Sequence, residues 1–152
     1  MSGGASNPKI VGGAWNEWIY GTPDNDKIDG RGGNDTINGF CGNDVLTGGS
    51  GSDTFVLDRT YQDVCGGQDV VTDFSVKPTA HDNIQFNGWG AFVDAPTGTL
   101  DVGDTFTTDL GHTLTVGVGA NGGTCLMWDT GDCFDLRGVT AGTLDAGWII
   151  ST

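Results

Sequence analysis

Gly21-Thr-Pro-Asp-Asn-Asp-Lys-Ile-Asp29, Gly30-Arg-Gly-Gly-Asn-Asp-Thr-Ile-Asn38, Gly39-Phe-Cys-Gly-Asn-Asp-Val-Leu-Thr47 and Gly48-Gly-Ser-Gly-Ser-Asp-Thr-Phe-Val56 follow one another without a gap, nine residues each. A looser unit in the same phase, Gly12-Gly-Ala-Trp-Asn-Glu-Trp-Ile-Tyr20, precedes them. Self-similarity at a short fixed period marks a solenoid, and the columns say what each unit contributes. Glycine opens every unit. The fifth column, Asn16, Asn25, Asn34, Asn43 and Ser52, holds residues that tolerate left-handed or tight-turn backbone. The sixth is acidic, Glu17, Asp26, Asp35, Asp44 and Asp53, and the eighth is apolar, Ile19, Ile28, Ile37, Leu46 and Phe55.

A six-residue turn followed by a three-residue strand cannot bury its one apolar side chain alone, so successive units must coil and share a core. Two units make one coil. Acids eighteen residues apart then stack, Asp26 with Asp44 on one edge and Asp35 with Asp53 on the other, with Glu17 below Asp35. Stacked carboxylates repel unless a cation lies between them. Carboxylates combined with the carbonyls of glycine-rich turns make a flexible all-oxygen site, which favours Ca²⁺ over the octahedrally exacting Mg²⁺. Solvated turn carboxylates would explain the glycines but not the acid column, because Asn or Ser would serve such turns equally well.

Gly39 to Val56 match the pattern G-G-x-G-x-D-x-U-x in nearly every fixed column, and Gly21 to Val56 as a whole resembles the calcium-binding β-roll of the RTX, or haemolysin-type, family. The resemblance implies Ca²⁺ as cofactor. The candidate ligand positions are Asp24, Asp26, Asp35, Asp44 and Asp53 with the turn glycines Gly30, Gly32, Gly39, Gly42, Gly49 and Gly51. Departures from the pattern are Asp24 in the fourth column, Arg31 and Phe40 in the second, and Trp15 and Glu17 in the first unit, which is expected to cap the roll. Further along, Gln68-Asp-Val-Val-Thr-Asp-Phe-Ser75 and His81-Asp-Asn-Ile-Gln-Phe86 are similar to the segment that follows the repeats in serralysin-type C-terminal domains. Asp69, Asp73 and Asp82 are therefore further metal candidates, with turn capping as the alternative, and Asp63 is a candidate to close the roll over Asp44.

The rest of the chain is glycine-punctuated and alternating. Thr105–Thr108 and Thr113–Val118 flank Asp109-Leu-Gly-His112, and Thr124–Trp128 and Cys133–Leu136 flank Asp129-Thr-Gly-Asp132, each pair reading as a hairpin. The expected fold is all-β: a parallel β-roll of nonapeptide repeats followed by antiparallel β-strands packed on it. Residues 1–11 are set apart as a flexible or extraneous N-terminus, 12–65 as the roll and 66–152 as a β-rich cap, with 12–152 forming one structural domain.

Composition agrees. The chain of 152 residues carries 20 acids against 6 basic residues and a net charge of −14, with 28 glycines. Long helices are nearly excluded, since Gly costs a helix interior about 1 kcal/mol relative to Ala. Nucleic acid and membrane insertion are excluded as partners, because there is neither a basic cluster nor a run of about 18 apolar residues. Cys41, Cys65, Cys125 and Cys133 allow three pairings; proximity favours Cys41–Cys65 and Cys125–Cys133, and zinc is disfavoured by the absence of CxxC and by isolated histidines.

HExxH, GxSxG and CxxC are all absent and His81 beside Asp82 has no nucleophile near it, so no enzyme activity is expected. The RTX resemblance implies a secreted, monomeric module that folds on Ca²⁺ outside the cell and supports export by type I secretion machinery, for which Leu136 to Ile150 resembles the C-terminal signal. The alternative is a calcium-dependent module that binds carbohydrate or a cell surface, like an R-module of a polysaccharide-modifying enzyme. The five tryptophans are expected to plug the ends and sheet interface of a thin core, or on that alternative to stack on sugars.

Overall fold

A computed structural model describes residues 8–58 and 67–152. Asp63 and Cys65 lie outside the described residues. Five short strands carry the lead-in and the first four repeats: β1 (Lys9–Val11), β2 (Trp18–Tyr20), β3 (Lys27–Asp29), β4 (Thr36–Asn38) and β5 (Val45–Thr47). Then come β6 (Thr54–Asp58), β7 (Gln68–Val71), the two-residue pair β8 (Val76–Lys77) and β9 (Ala80–His81), and β10 (Asn83–Asn87). The remainder are β11 (Phe92–Asp94), β12 (Thr105–Thr108), β13 (Thr113–Val118), β14 (Thr124–Trp128), β15 (Cys133–Leu136) and β16 (Ile149–Ser151). Among the described residues the only helical pieces are single 3-10 turns at Ala141–Thr143 and Ala146–Trp148, and no helix is long and apolar enough to cross a membrane.

Alternate repeats fall on opposite sheets. One sheet runs β16-β10-β6-β4-β2 and the other β1-β3-β5-β7-β15-β14-β13-β12-β11. Within the repeats the pairing is parallel and eighteen residues out of phase: Ile10 lies beside Ile28, Ile28 beside Leu46, Ile19 beside Ile37 and Ile37 beside Phe55. The eighth column therefore forms two facing rows inside the roll, and Ile28, Ile37, Leu46 and Phe55 are fully buried.

The roll outlasts its repeat. β7 stacks on β5 and β10 on β6, with Leu46 beside Val71 and Phe55 beside Ile84. After residues 88–132 the chain returns to add one more coil, β15 parallel to β7 and β16 parallel to β10, with Leu136 beside Val71 and Ile149 beside Ile84. Strands β11 to β15 are antiparallel and carry both expected hairpins. They do not form a separate layer over the roll. They continue one of its sheets along the stacking direction of the coils, because β15 is hydrogen-bonded to β7 on one edge and to β14 on the other.

The tryptophans divide by position. Trp89 and Trp128 stack at 4.1 Å inside the cap core, both nearly inaccessible. Trp15 and Trp18 depart from the plugging role, at 80% and 71% exposed. The reason for Trp18 is strand alternation: Ile19 points into the roll, so its two neighbours on β2 point out.

Candidate metal centre

Each column-six acid is positioned by the coil stacked on it. The N–H of Glu17 donates to Asp35 Oδ1 at 2.9 Å, that of Asp35 to Asp53 Oδ1 at 2.8 Å, and that of Asp53 to Asp82 Oδ1 at 2.8 Å. On the other edge the N–H of Asp26 donates to Asp44 Oδ1 at 2.8 Å and that of Asp44 to Asp69 Oδ1 at 2.9 Å. Asp69 and Asp82 are thus the next rungs of the two ladders, a role their spacing of 25 and 29 residues hides from a period of nine.

The fifth column has a different part from the one its composition suggests. Among the described residues the non-glycine residues with left-handed backbone are Arg31 and Phe40, in the second column, and the fourth-column Gly33, Gly42 and Gly51 supply the other left-handed position. The asparagines instead form a second ladder of acceptors. Asn16, Asn25, Asn34 and Asn43 take, through Oδ1, the N–H of Asn34, Asn43, Ser52 and Gln68 in the next coil. Stacked turns leave backbone N–H groups facing the neighbouring turn, and these amides satisfy them.

The second oxygen of each acid separates the units into two kinds. In the first unit Glu17 Oε2 accepts from Gly13 N, and in the second Asp26 Oδ2 accepts from both the N–H and the hydroxyl of Thr22. In the third to fifth units Asp35, Asp44 and Asp53 each bury Oδ2 with no hydrogen-bond partner. These three side chains are about 1% exposed. Burying an unsatisfied carboxylate oxygen is costly unless the group is protonated or meets a cation.

A repeated oxygen cradle lies at the first-column glycines of the first three units, beside Glu17, Asp26 and Asp35. A Cβ at Gly30 would lie 2.5 Å from Asp35 Oδ2 and 2.6 Å from the Gly48 carbonyl, and one at Gly12 would lie 2.6 Å from Glu17 Oε2 and 2.7 Å from the Gly30 carbonyl. At Gly21 the same roles fall to Asp26 Oδ2 and the Gly39 carbonyl. First-column glycine is required because carboxylate and carbonyl oxygens converge where a side chain would stand. Among the described residues no three His, Cys, Asp or Glu side chains gather at one point, so a cation here draws on backbone carbonyls beside the carboxylates. That donor set suits calcium, a hard ion of high and flexible coordination number.

Burial dominates the electrostatics. It pushes the Asp44 and Asp69 carboxyls up to about 7 and Asp53 up to about 6; the N–H groups of Asp26, Asp44 and Asp35 respectively oppose the shift, and neighbouring carboxylates add to it. Asp35 and Asp82 are also raised, again chiefly by burial. A divalent ion among these groups would reverse the balance and favour the ionised form.

The other candidates fall in different places. Asp24 is exposed, and its carbonyl rather than its carboxylate packs against Gly42. Gly32 and Ser50 bridge adjacent turns. The Asp73 carboxylate caps the fifth repeat by accepting from Gly48 N at 3.0 Å and Gly49 N at 2.8 Å, and Asp82 Oδ2 accepts from Ser75 N at 2.8 Å. A disulfide joins Cys125 and Cys133, Cα atoms 5.9 Å apart. Cys41 is also disulfide-bonded, and the expected partner, Cys65, lies outside the described residues.

Residues 11–39 and 42–59 match the family model of the RTX calcium-binding nonapeptide repeat, in four copies. Two solution structures of subunits of mannuronan C5-epimerase from Azotobacter vinelandii are similar along most of the chain. AlgE6R3 is 24% identical over 99% of this chain and 86% of that one, with a TM-score of 0.41. AlgE6R2 is 26% identical over 95% of this chain and 93% of that one, with a TM-score of 0.44. No curated protein matches the chain.

Proposed function

From an array of RTX calcium-binding repeats wound into an all-β roll, we infer that the chain is a calcium-responsive folding module of a secreted protein. The observation that carries this reading is the set of buried, unbonded Oδ2 atoms of Asp35, Asp44 and Asp53. We assign the metal-holding role to these three carboxylates, joined at Asp35 by the carbonyl of Gly48 from the coil above. Asp26 and Glu17, already bonded within their own turns, take a lesser share. Asp69 and Asp82 end the ladders, and Asp73 acts as a turn cap.

The chain's own residues set the switch. Without a cation the stacked carboxylates must take up protons or separate, which opposes coiling at neutral pH. Calcium supplies positive charge and oxygen coordination, so binding free energy becomes folding free energy. At millimolar concentration a site with a dissociation constant of about 10⁻⁴ M contributes about 1.4 kcal/mol. Sites along one stack share neighbours, so they fill cooperatively. A chain kept loose where calcium is scarce suits passage through type I secretion machinery, and the C-terminal segment that resembles the export signal is also the last coil. On this reading residues 12–152 fold as one monomeric, non-catalytic domain, and Lys9–Val11, set apart above as a flexible N-terminus, instead joins it as the edge strand β1 paired with β3.

Calcium calorimetry on the whole chain tests the assignment. Asp35→Asn, Asp44→Asn and Asp53→Asn together keep an oxygen for each ladder hydrogen bond and should remove most calcium uptake; undiminished uptake overturns the assignment. A second role, binding carbohydrate, is favoured by one observation: the exposed rings of Trp18 and Tyr20 on the outside of the roll.

A further inference from the structure

Trp18 and Tyr20 flank the inward Ile19 on β2 and stand on the outer face of its sheet, 71% and 52% exposed. Their rings are stacked, with centroids 6.4 Å apart and planes 28° apart. Tyr20 in turn stacks with Phe40 at 5.7 Å and 23°. Three nearly parallel rings therefore form one row. Phe40 reaches it from the second column of its repeat, with φ at +66°, held by its N–H to Asn38 Oδ1 at 2.9 Å. Left-handed backbone costs a non-glycine residue about 1–2 kcal/mol, and the repeat imposes it on this column, at Arg31 as at Phe40.

The row borders a groove of about 140 Å³ on the outside of the same sheet. Its floor includes the buried Asn38, and Thr36, Gln85 and Asn87 add a hydroxyl and two amides. Gln85 Nε2 donates to Asn87 Oδ1 at 2.8 Å, and so does the Thr152 hydroxyl at 2.7 Å, which fixes the amides in place. The groove crosses β2, β4, β6 and β10, three strand spacings, which at about 4.8 Å each is about 14 Å. That length suits an oligosaccharide better than a single sugar.

Charge selects among ligands. Among the described residues lining the groove the one charged side chain is Asp58, and the chain carries −14 overall. Among the described lining residues there is no lysine or arginine to pair with a carboxylated or sulfated chain, whose approach the protein's own field would oppose. Flat aromatic faces give rigid contact area at low entropy cost, and fixed amides supply oriented hydrogen bonds. The same combination fits the apolar faces and hydroxyl rims of uncharged pyranose rings.

We propose that the outer face of this sheet, from the Trp18–Tyr20–Phe40 row to Gln85 and Asn87, binds a neutral hexose oligosaccharide. The proposal rests on the carbohydrate-binding reading and adds the face and the class of sugar. It is tested on the whole chain in calcium by calorimetry against cellohexaose, laminarihexaose, mannohexaose and a polymannuronate, with wild type beside Trp18→Ala, Tyr20→Ala and Gln85→Ala. The expected result is binding of at least one neutral oligomer but not the polyuronate. Each ring deletion should weaken it about tenfold or more, as loss of an anchoring aromatic does, while circular dichroism stays native. Binding of the polyuronate alone overturns the neutral class and leaves carbohydrate binding standing. Neutral binding that survives both ring deletions overturns the face, and no binding to any of the four overturns both the proposal and the carbohydrate reading. A wild-type dimer that Trp18→Ala converts to monomer also overturns it, by making a second copy the occupant of the face.

Discussion

The N–H of Asp44 donates to Oδ1 of Asp69 at 2.9 Å across 25 residues of chain, so the acid ladder continues past the nine-residue repeat that generates it. A carboxylate in this ladder has two separable duties. Oδ1 fastens its coil to the one below. Oδ2, where the chain leaves it unbonded, is the atom a cation would meet. Substitutions can remove one duty and spare the other.

Asp44→Asn keeps an acceptor for the Asp26 N–H and removes the charge. Calcium affinity should fall about tenfold, about 1.4 kcal/mol, while the metal-free protein becomes no less stable. Asp26→Asn should have a smaller effect on affinity, because Thr22 already occupies Asp26 Oδ2. Calorimetric titration of the two variants side by side checks the order.

Proton linkage gives a stability profile of definite sign. Asp44 and Asp69 titrate near 7 and Asp53 near 6 in the roll, above the ordinary value of 3.8. The folded, metal-free form therefore binds protons more tightly than the unfolded chain. The stabilisation this provides is complete below about pH 4 and is lost as pH rises toward 7. Calcium competes with the same protons, so its affinity should rise over that window. Urea melts in chelator at pH 4, 5.5 and 7 are expected to show falling midpoints, and melts in calcium should not.

Gly30→Ala sets a methyl group against Asp35 Oδ2 and the Gly48 carbonyl. Overpacking of this kind costs about 1–3 kcal/mol, and here it should also lower calcium affinity. Gly142→Ala, with nothing within 4 Å of the added atom, serves as the neutral comparison in thermal melts.

Arg31→Gly removes left-handed strain at an exposed second-column position, φ +72°. The gain from strain relief is partly offset by the greater freedom of glycine in the unfolded chain. A net stabilisation of up to about 1 kcal/mol, with unchanged calcium affinity, is expected from denaturant melts.

The roll was legible in the sequence because its pairing is a fixed offset: Ile28 meets Leu46 eighteen residues on, and a column written nine residues wide displays it. The acids at Asp26, Asp35, Asp44 and Asp53 were legible for the same reason. Asp69 and Asp82 stood out only as further candidates, since the insertions before them break the offset while the coil geometry persists. The last coil was hidden more deeply. Cys133–Leu136 reads locally as half of a hairpin with β14, and it is one, yet its other edge pairs in parallel with Gln68–Val71. Composition showed that asparagine suits the turn, but not that its amide accepts from the next coil, a contact between residues far apart in sequence. The outward Trp18 and Tyr20 follow from alternation about Ile19, once the strand is fixed.

The most direct test of the calcium-driven folding claim is far-UV circular dichroism of chelator-treated protein at pH 7 during a calcium titration, with magnesium as the control. A cooperative rise from coil to β structure with calcium alone is the predicted result. A protein already fully β in chelator, whose spectrum and melting temperature calcium leaves unchanged, would contradict it and reduce the buried aspartates to a device for joining turns.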